Sequence, residues 1–283
     1  MTYRSAEEIL RDNKKGAAEL LEDVVKSIQR LEKEEIESYL KTLVINRYSV
    51  TPLVNLANKI FLSLEQEEDI DSIVDDLEGK FFSRNREAAT KMKKLMQDKN
   101  YTDILTLSYS STVIQALSSV EKVKVLESRP NMEGRKTAKK LINRGIEVEY
   151  WVDAGMCRAL ENIDCVVVGA DSISKKGFLN KIGTKPLAIT SDTLEKEFYV
   201  VADTSKILPS KIPTPKGESH PPKEVWDNEF VVVKNDYFEL SQLKRAEFIT
   251  ENGRMKPKEI KKIAEKKEVS EMLLNIHPLL RER

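Results

Sequence analysis

The sequence predicts an α/β protein: a helical N-terminal domain over residues 1–99, then a domain built on a parallel sheet over residues 100–283. Three observations carry this. The first third places apolar residues at helical spacing almost throughout. Beyond residue 100, short unbroken apolar runs alternate with amphipathic stretches. Hydroxyl, glycine and carboxylate residues gather directly after several of those runs.

The helical third opens at Ser5-Ala6-Glu7-Glu8, a capping box in which hydroxyl and carboxylate satisfy each other's backbone donors. Ile9, Ala17, Leu20, Leu21, Val24, Val25 and Ile28 follow on one helix face. A second helix is expected over residues 33–44. A third starts near Pro52, whose fixed φ suits a first helical turn. Residues 69–99 supply one or two more.

Residues 104–107, 123–126, 146–152, 165–168, 198–201 and 230–233 are short, β-rich and apolar at successive positions. Strands that are apolar on both faces belong to a parallel sheet covered by helices on both sides. The stretch 133–143, closed by Arg144-Gly145, is one such covering helix. The domain therefore reads as doubly wound and Rossmann-like. Residues 187–190 fit either element, with Pro186 able to open a helix running to Glu195. Residues 209–222 hold five of the ten prolines and read as a surface loop of a length that is usually functional or flexible.

Composition excludes several classes. Lys+Arg equals Asp+Glu at 47 each, so no net field favours nucleic acid or an anionic membrane. No apolar run approaches the ~20 residues that span a bilayer. The opening MTYRSAEEIL has no apolar signal core, so a cytoplasmic location is expected. Cys157 and Cys165 are too few for a disulfide framework. His220 and His277 lie far apart, and no metal-ligand spacing, GxGxxG or P-loop occurs, so neither metal nor cofactor is expected. Charged residues reach 33% and are rich in Lys and Glu, a balance of proteins from hot environments; a highly charged mesophilic protein is the alternative. The basic run 256–267 interleaves Lys with Glu and reads as a solvated helix face.

In an open parallel sheet, ligands bind outside the carboxyl ends of the strands. After residues 104–107 come Ser108, Tyr109, Ser110, Ser111 and Thr112, which can donate to a phosphate or simply cap a helix. After 123–126 come Glu127-Ser128-Arg129-Pro130 and Glu133-Gly134-Arg135, where an Arg can clamp a phosphate or pair with Glu127. After 165–168 comes Gly169-Ala170-Asp171; a carboxyl there can serve as general acid or base, or cap the next turn. Asn180-Lys181-Ile182-Gly183-Thr184 adds an amide and a cation near that rim. Lys206 follows 198–201 and can reach the same crevice or stay solvated.

Together these pieces resemble the regulatory α/β/δ subunits of translation initiation factor 2B and their enzyme relatives, methylthioribose-1-phosphate isomerase and archaeal ribose-1,5-bisphosphate isomerase. The resemblance covers nearly the whole chain. Gly169-Ala170-Asp171 followed by Asn180-Lys181-Ile182-Gly183-Thr184 is its most specific part, supported by Glu127-Ser128-Arg129-Pro130, Phe198-Tyr199-Val200 and Ile249-Thr250-Glu251-Asn252-Gly253. It implies a helical domain joined to a Rossmann-like domain, assembled as dimers or higher oligomers. It also implies ligand-binding roles for Lys15, Gly16 and Ala17, for Arg47, for Ser110, Ser111 and Thr112, and for Asn180, Lys181 and Lys206. Lys15 stands where the isomerases carry an Arg, keeping the charge without the guanidinium fork. The isomerases' catalytic Asp corresponds to Asp171, but their catalytic Cys corresponds to Ser108. A Ser needs an adjacent base to act, and nothing nearby in sequence offers one; Cys157 is a weak substitute. The expectation is an archaeal-type initiation factor 2B regulatory-subunit homologue that binds a sugar phosphate or nucleotide. It would act through protein contacts, with the initiation factor 2 α subunit as the partner by analogy. The alternative is a sugar-phosphate aldose–ketose isomerase.

Overall fold

Ser5 and Glu8 close the expected capping box: Glu8 N–H donates to Ser5 Oγ at 3.2 Å and Ser5 N–H to Glu8 Oε2 at 2.8 Å. The computed structural model describes residues 4–11, 17–217, 219–242 and 246–281. Its N-terminal layer is α1 (Ala6–Arg11), α2 (Ala17–Ile28), α3 (Lys33–Asn46), α4 (Thr51–Glu65) and α5 (Ile70–Asp98). Pro52 lies in the first turn of α4, where its missing N–H costs nothing. Residues 69–99 give one helix of 29 residues. No helix among the described residues is long and apolar enough to cross a membrane.

Strand and helix then alternate: β1 (Asp103–Thr106), α6 (Ser111–Ala116), β2 (Lys122–Leu126), α7 (Gly134–Ile142), β3 (Glu147–Trp151), α8 (Met156–Ala159) and β4 (Cys165–Val168). β5 (Ser172–Ser174), β6 (Gly177–Lys181), α9 (Thr184–Thr193) and β7 (Glu197–Val201) follow. The chain ends with β8 (Phe238–Ser241), β9 (Glu247–Thr250), β10 (Gly253–Met255), α10 (Pro257–Lys266) and α11 (Glu271–Arg281). The main sheet has the order β10-β9-β7-β4-β1-β2-β3, parallel except for the β9–β10 hairpin. Connections run from β1 toward β3 on one side and from β4 outward on the other, so the topological switch falls between β1 and β4.

Alternate residues of the strands enter opposite faces, as their unbroken apolar runs require. Leu105, Val166, Val168, Val200 and Phe248 pack under α9 and α10. Ile104, Val123, Val125, Val167 and Ile249 pack against Ala88, Ala89, Met92 and Met96 of α5. Each such side chain contributes about 1.5–3 kcal/mol on burial. The second half of α5 thus belongs to the sheet's core. In the other direction, Leu273 and Ile276 of α11 join the core of α3 and α4.

Two elements differ from expectation, and one that fitted either reading is settled. Residues 230–233 form no strand: Phe230 is 97% exposed and Val232 83%. The apolar run lies on the surface because the third strand on that side of the switch is supplied by β9, which pairs with β7. Residues 187–190 are helical, within α9. A second, antiparallel sheet of β5-β6-β8 was not legible; β5 begins directly after Asp171, so it projects from the carboxyl end of β4. Buried polar bonds join the layers. Thr51 Oγ1 donates to Ser172 Oγ at 2.6 Å, and the Tyr48 hydroxyl to Pro213 O at 2.7 Å.

Candidate functional site

The switch point brings β1 and β4 side by side, with the turns after them converging. Gly169 permits this approach. A Cβ there would lie 3.0 Å from Ser110 Oγ and 3.1 Å from Ser110 Cβ. Gly183 meets the same rim, its hypothetical Cβ 3.7 Å from Leu107. Two of the resemblance's motifs therefore share one crevice.

Asp171 follows β4 beside these converging turns. Its N–H donates to Leu179 O at 2.9 Å, which fixes it as the residue just before β5. The carboxyl keeps a small exposed face and is otherwise enclosed by protein, and burial pushes its pKa up. The ammonium groups of Lys206, then Lys181, oppose that shift without cancelling it. Lys206 is buried at the end of the turn Thr204–Lys206 after β7. Lys181 ends β6 and is 1% exposed. Its Nζ lies 2.6 Å from Glu133 Oε1, outside hydrogen-bonding alignment, and 4.6 Å from the centroid of the Tyr237 ring. An acid with two buried cations suits an anion carrying exchangeable protons.

Ser108 adopts a left-handed backbone at φ 71°. Few residues without glycine's freedom hold this conformation, and it recurs at functional sites. Ser128 Oγ accepts from its N–H at 2.7 Å, and Thr137 Oγ1 donates to its carbonyl at 2.7 Å. The loop after β2 is itself fixed: both oxygens of Asp153 accept, from Ser128 N–H at 2.9 Å and Arg129 N–H at 2.7 Å. Among the described residues the Ser108 hydroxyl meets no base.

The remaining expected residues divide. Ser110 caps α6, accepting from Val113 N–H at 3.3 Å, while Ser111 is exposed beside it. Thr112 is buried and donates to Asn85 Oδ1 at 2.7 Å, which ties α6 to α5. Asn180 is buried and donates to Thr184 Oγ1 at 3.0 Å, holding the β6–α9 turn. Arg47 follows α3, and its Nη2 donates to Leu10 O at 2.7 Å, anchoring α1. Arg135 meets the Tyr150 hydroxyl. Lys15 and Gly16 lie outside the described residues, and Ala17 opens α2. Cys157 is exposed on α8 and Cys165 buried in β4. His220 stacks on Tyr237 at 3.4 Å; the His277 side chain lies outside the described residues. Among the described residues no cluster of His, Cys, Asp or Glu is fit to hold a metal.

Sequence reasoning missed the support of Lys181. The Tyr237 hydroxyl donates to Glu224 and lies 2.8 Å from the side-chain amide of Asn131, linking the 209–236 loop to the loop after β2. Hydrogen bonding to that hydroxyl lowers the pKa of Glu224, whereas burial pushes Tyr237 up to about 12. Glu239 was missed as well: its Oε1 accepts from Gly183 and Lys185 N–H at 2.7 and 2.8 Å, closing the start of α9.

Known proteins share this architecture. The ribose 1,5-bisphosphate isomerase of Methanocaldococcus jannaschii is 28% identical over 263 residues, 86% of this chain and 85% of its own length. A translation initiation factor eIF-2B subunit 2-like protein of Pyrococcus horikoshii is 32% identical over 223 residues, 72% of this chain and 79% of its own. The crystal structure of the translation initiation factor eIF-2B from Pyrococcus horikoshii OT3 superposes with a TM-score of 0.78 at 26% identity, covering 90% of this chain and 97% of that one. Residues 4–257 match the model of a single family. With the fold and the Asp171 crevice, these place the chain in the initiation factor 2 subunit family.

Proposed function

We propose that the protein is a regulatory-type member of its family that binds a phosphorylated sugar or nucleotide in the Asp171 crevice and acts through protein contacts. One observation carries this: Lys206 and Lys181 flank a buried carboxyl while Ser108, without a base, stands where the resemblance expects a thiol. Binding needs only the cations. Turnover by the expected pair would need a thiolate, which a serine cannot supply near neutral pH. The likeness to the eIF-2B subunit 2-like protein supports the translation-initiation role, with the initiation factor 2 α subunit as expected partner. Self-association fits the apolar surface of Trp226, Phe230 and Val232.

Titration calorimetry with ribose 1,5-bisphosphate tests the binding site. Lys206→Met is expected to weaken binding about tenfold or more, since a charge-assisted bond contributes about 1.5–3 kcal/mol. Equal affinity in wild type and variant would contradict this assignment.

A second reading has its own support. The raised pKa of Asp171 suits a group that moves a proton between C1 and C2 of an aldose, and the relative from Methanocaldococcus jannaschii is a named isomerase. In this reading Asp171 does the chemistry alone. Ser108→Cys would then raise a rate already present in the wild type.

A further inference from the structure

A cavity of about 330 Å³ that Asp171 does not line lies between α2, α4, α5 and the turn after β7. Leu21, Val25, Leu56 and Leu62 supply apolar lining. The rest is polar and of mixed charge, with Lys59, Arg84 and Lys267 against the carboxylates of Glu22 and Glu268. Lys267 Nζ donates to Thr204 O at 3.0 Å and Ile207 O at 2.6 Å, two of the three bonds an ammonium can make. Arg84 stands 3.8 Å from Glu251, a carboxylate already accepting from Thr204 N–H at 3.0 Å and from its hydroxyl. Ser205 also lines the cavity, and its enclosed Oγ has no hydrogen-bond partner among the described residues. Buried polar atoms are nearly always satisfied, so such an atom in a cavity that Lys267 and Arg84 also line marks a place for an acceptor.

We propose that this cavity is a second binding site, for a small amphipathic carboxylate whose anion meets Arg84, Lys267 and Ser205 and whose apolar body lies against Leu21, Val25, Leu56 and Leu62. The volume is at the lower end for small-molecule sites, and its apolar walls with few convergent polar groups are typical of them. A compact inorganic anion would leave the apolar lining uncovered. A neutral body of the same shape would leave the third Lys267 proton and the Ser205 hydroxyl without an anionic acceptor.

The position gives the site a consequence. Its polar wall is the turn Thr204–Lys206, which also carries Lys206 to the Asp171 crevice. Asn55 of α4, which also lines the cavity, donates to Ile207 O at 2.9 Å and to Ser205 O. An occupant therefore bridges the helical layer and the turn that positions Lys206, and is expected to alter affinity in the crevice as well as add its own stabilisation.

Thermal unfolding and calorimetry with 4-phenylbutyrate, 4-phenylbutanol and inorganic phosphate test the site. The carboxylate is expected to raise Tm saturably and to bind about tenfold more tightly than the alcohol, with phosphate giving no saturable effect here. Arg84→Gln, on a partly exposed helix face, should weaken the carboxylate about tenfold while unfolding like the wild type. Should Arg84→Gln prove unstable, Ser205→Ala serves the same purpose with a smaller loss. Asp171→Asn should leave carboxylate binding unchanged. Equal binding of acid and alcohol, no saturable binding of the acid, or loss of its binding in Asp171→Asn rather than Arg84→Gln would each overturn the proposal.

Discussion

Burial holds the Asp171 carboxyl above the usual carboxylate range, and Lys206 and Lys181 offset this only in part. The unfolded aspartate titrates near about 3.9. Between that value and the higher folded one, the native state binds the extra proton, so stability falls as pH rises through the window. Asp171→Asn is therefore expected to raise the urea midpoint at pH 7, an advantage that disappears below the ordinary aspartate pKa. Lys267 works in the opposite sense. Burial pushes its pKa down to about 8, against about 10.4 when unfolded. The cost of burying its charge is full below the folded value and relieved as pH rises between the two. Relative to Lys267→Met, wild-type stability should climb over that window by up to about 3 kcal/mol, measured by urea unfolding at pH 7 and pH 10. A flat difference would mean that the ammonium stays hydrated.

At the scale of elements, Gly134 sets how α7 abuts β2. A Cβ on Gly134 would lie 2.0 Å from Leu126 O, a backbone atom that cannot turn aside. Gly134→Ala is expected to cost about 2–3 kcal/mol in denaturant unfolding and to weaken crevice binding, because α7 carries Thr137 to Ser108. The sequence made the parallel strands legible because each is apolar at consecutive positions, a signal that survives without tertiary information. The residues 230–233 carry the same signal and lie on the surface, since pairing with β7 was decided by long-range partners. The small sheet escaped notice for the opposite reason: Ser172-Ile173-Ser174 and Gly177-Phe178-Leu179-Asn180-Lys181 are short and mixed in polarity. Asp171 could be singled out from the sequence because it ends an apolar run. The partners of Lys181 could not, because Glu133 and Tyr237 come from loops about a hundred residues apart in the chain.

Across the whole molecule, α5 runs from the helical core into the sheet's core, and α11 returns to the helices. The layers are joined at the crevice itself by Thr51 and Ser172, one residue from Asp171. Thr51→Val keeps the shape but leaves the buried Ser172 hydroxyl without that donor. It should cost about 1–3 kcal/mol and reduce crevice affinity together with stability. A loss of stability with binding untouched would separate the junction from the site. The central claim, that the crevice binds a phosphorylated sugar without converting it, is tested most directly by phosphorus NMR of ribose 1,5-bisphosphate with wild type and Asp171→Asn. The account predicts resonances that shift or broaden on adding wild-type protein, with no new product resonances over time. Product resonances that grow with the wild type and are absent with Asp171→Asn would contradict it and make the protein an isomerase that works without a thiol.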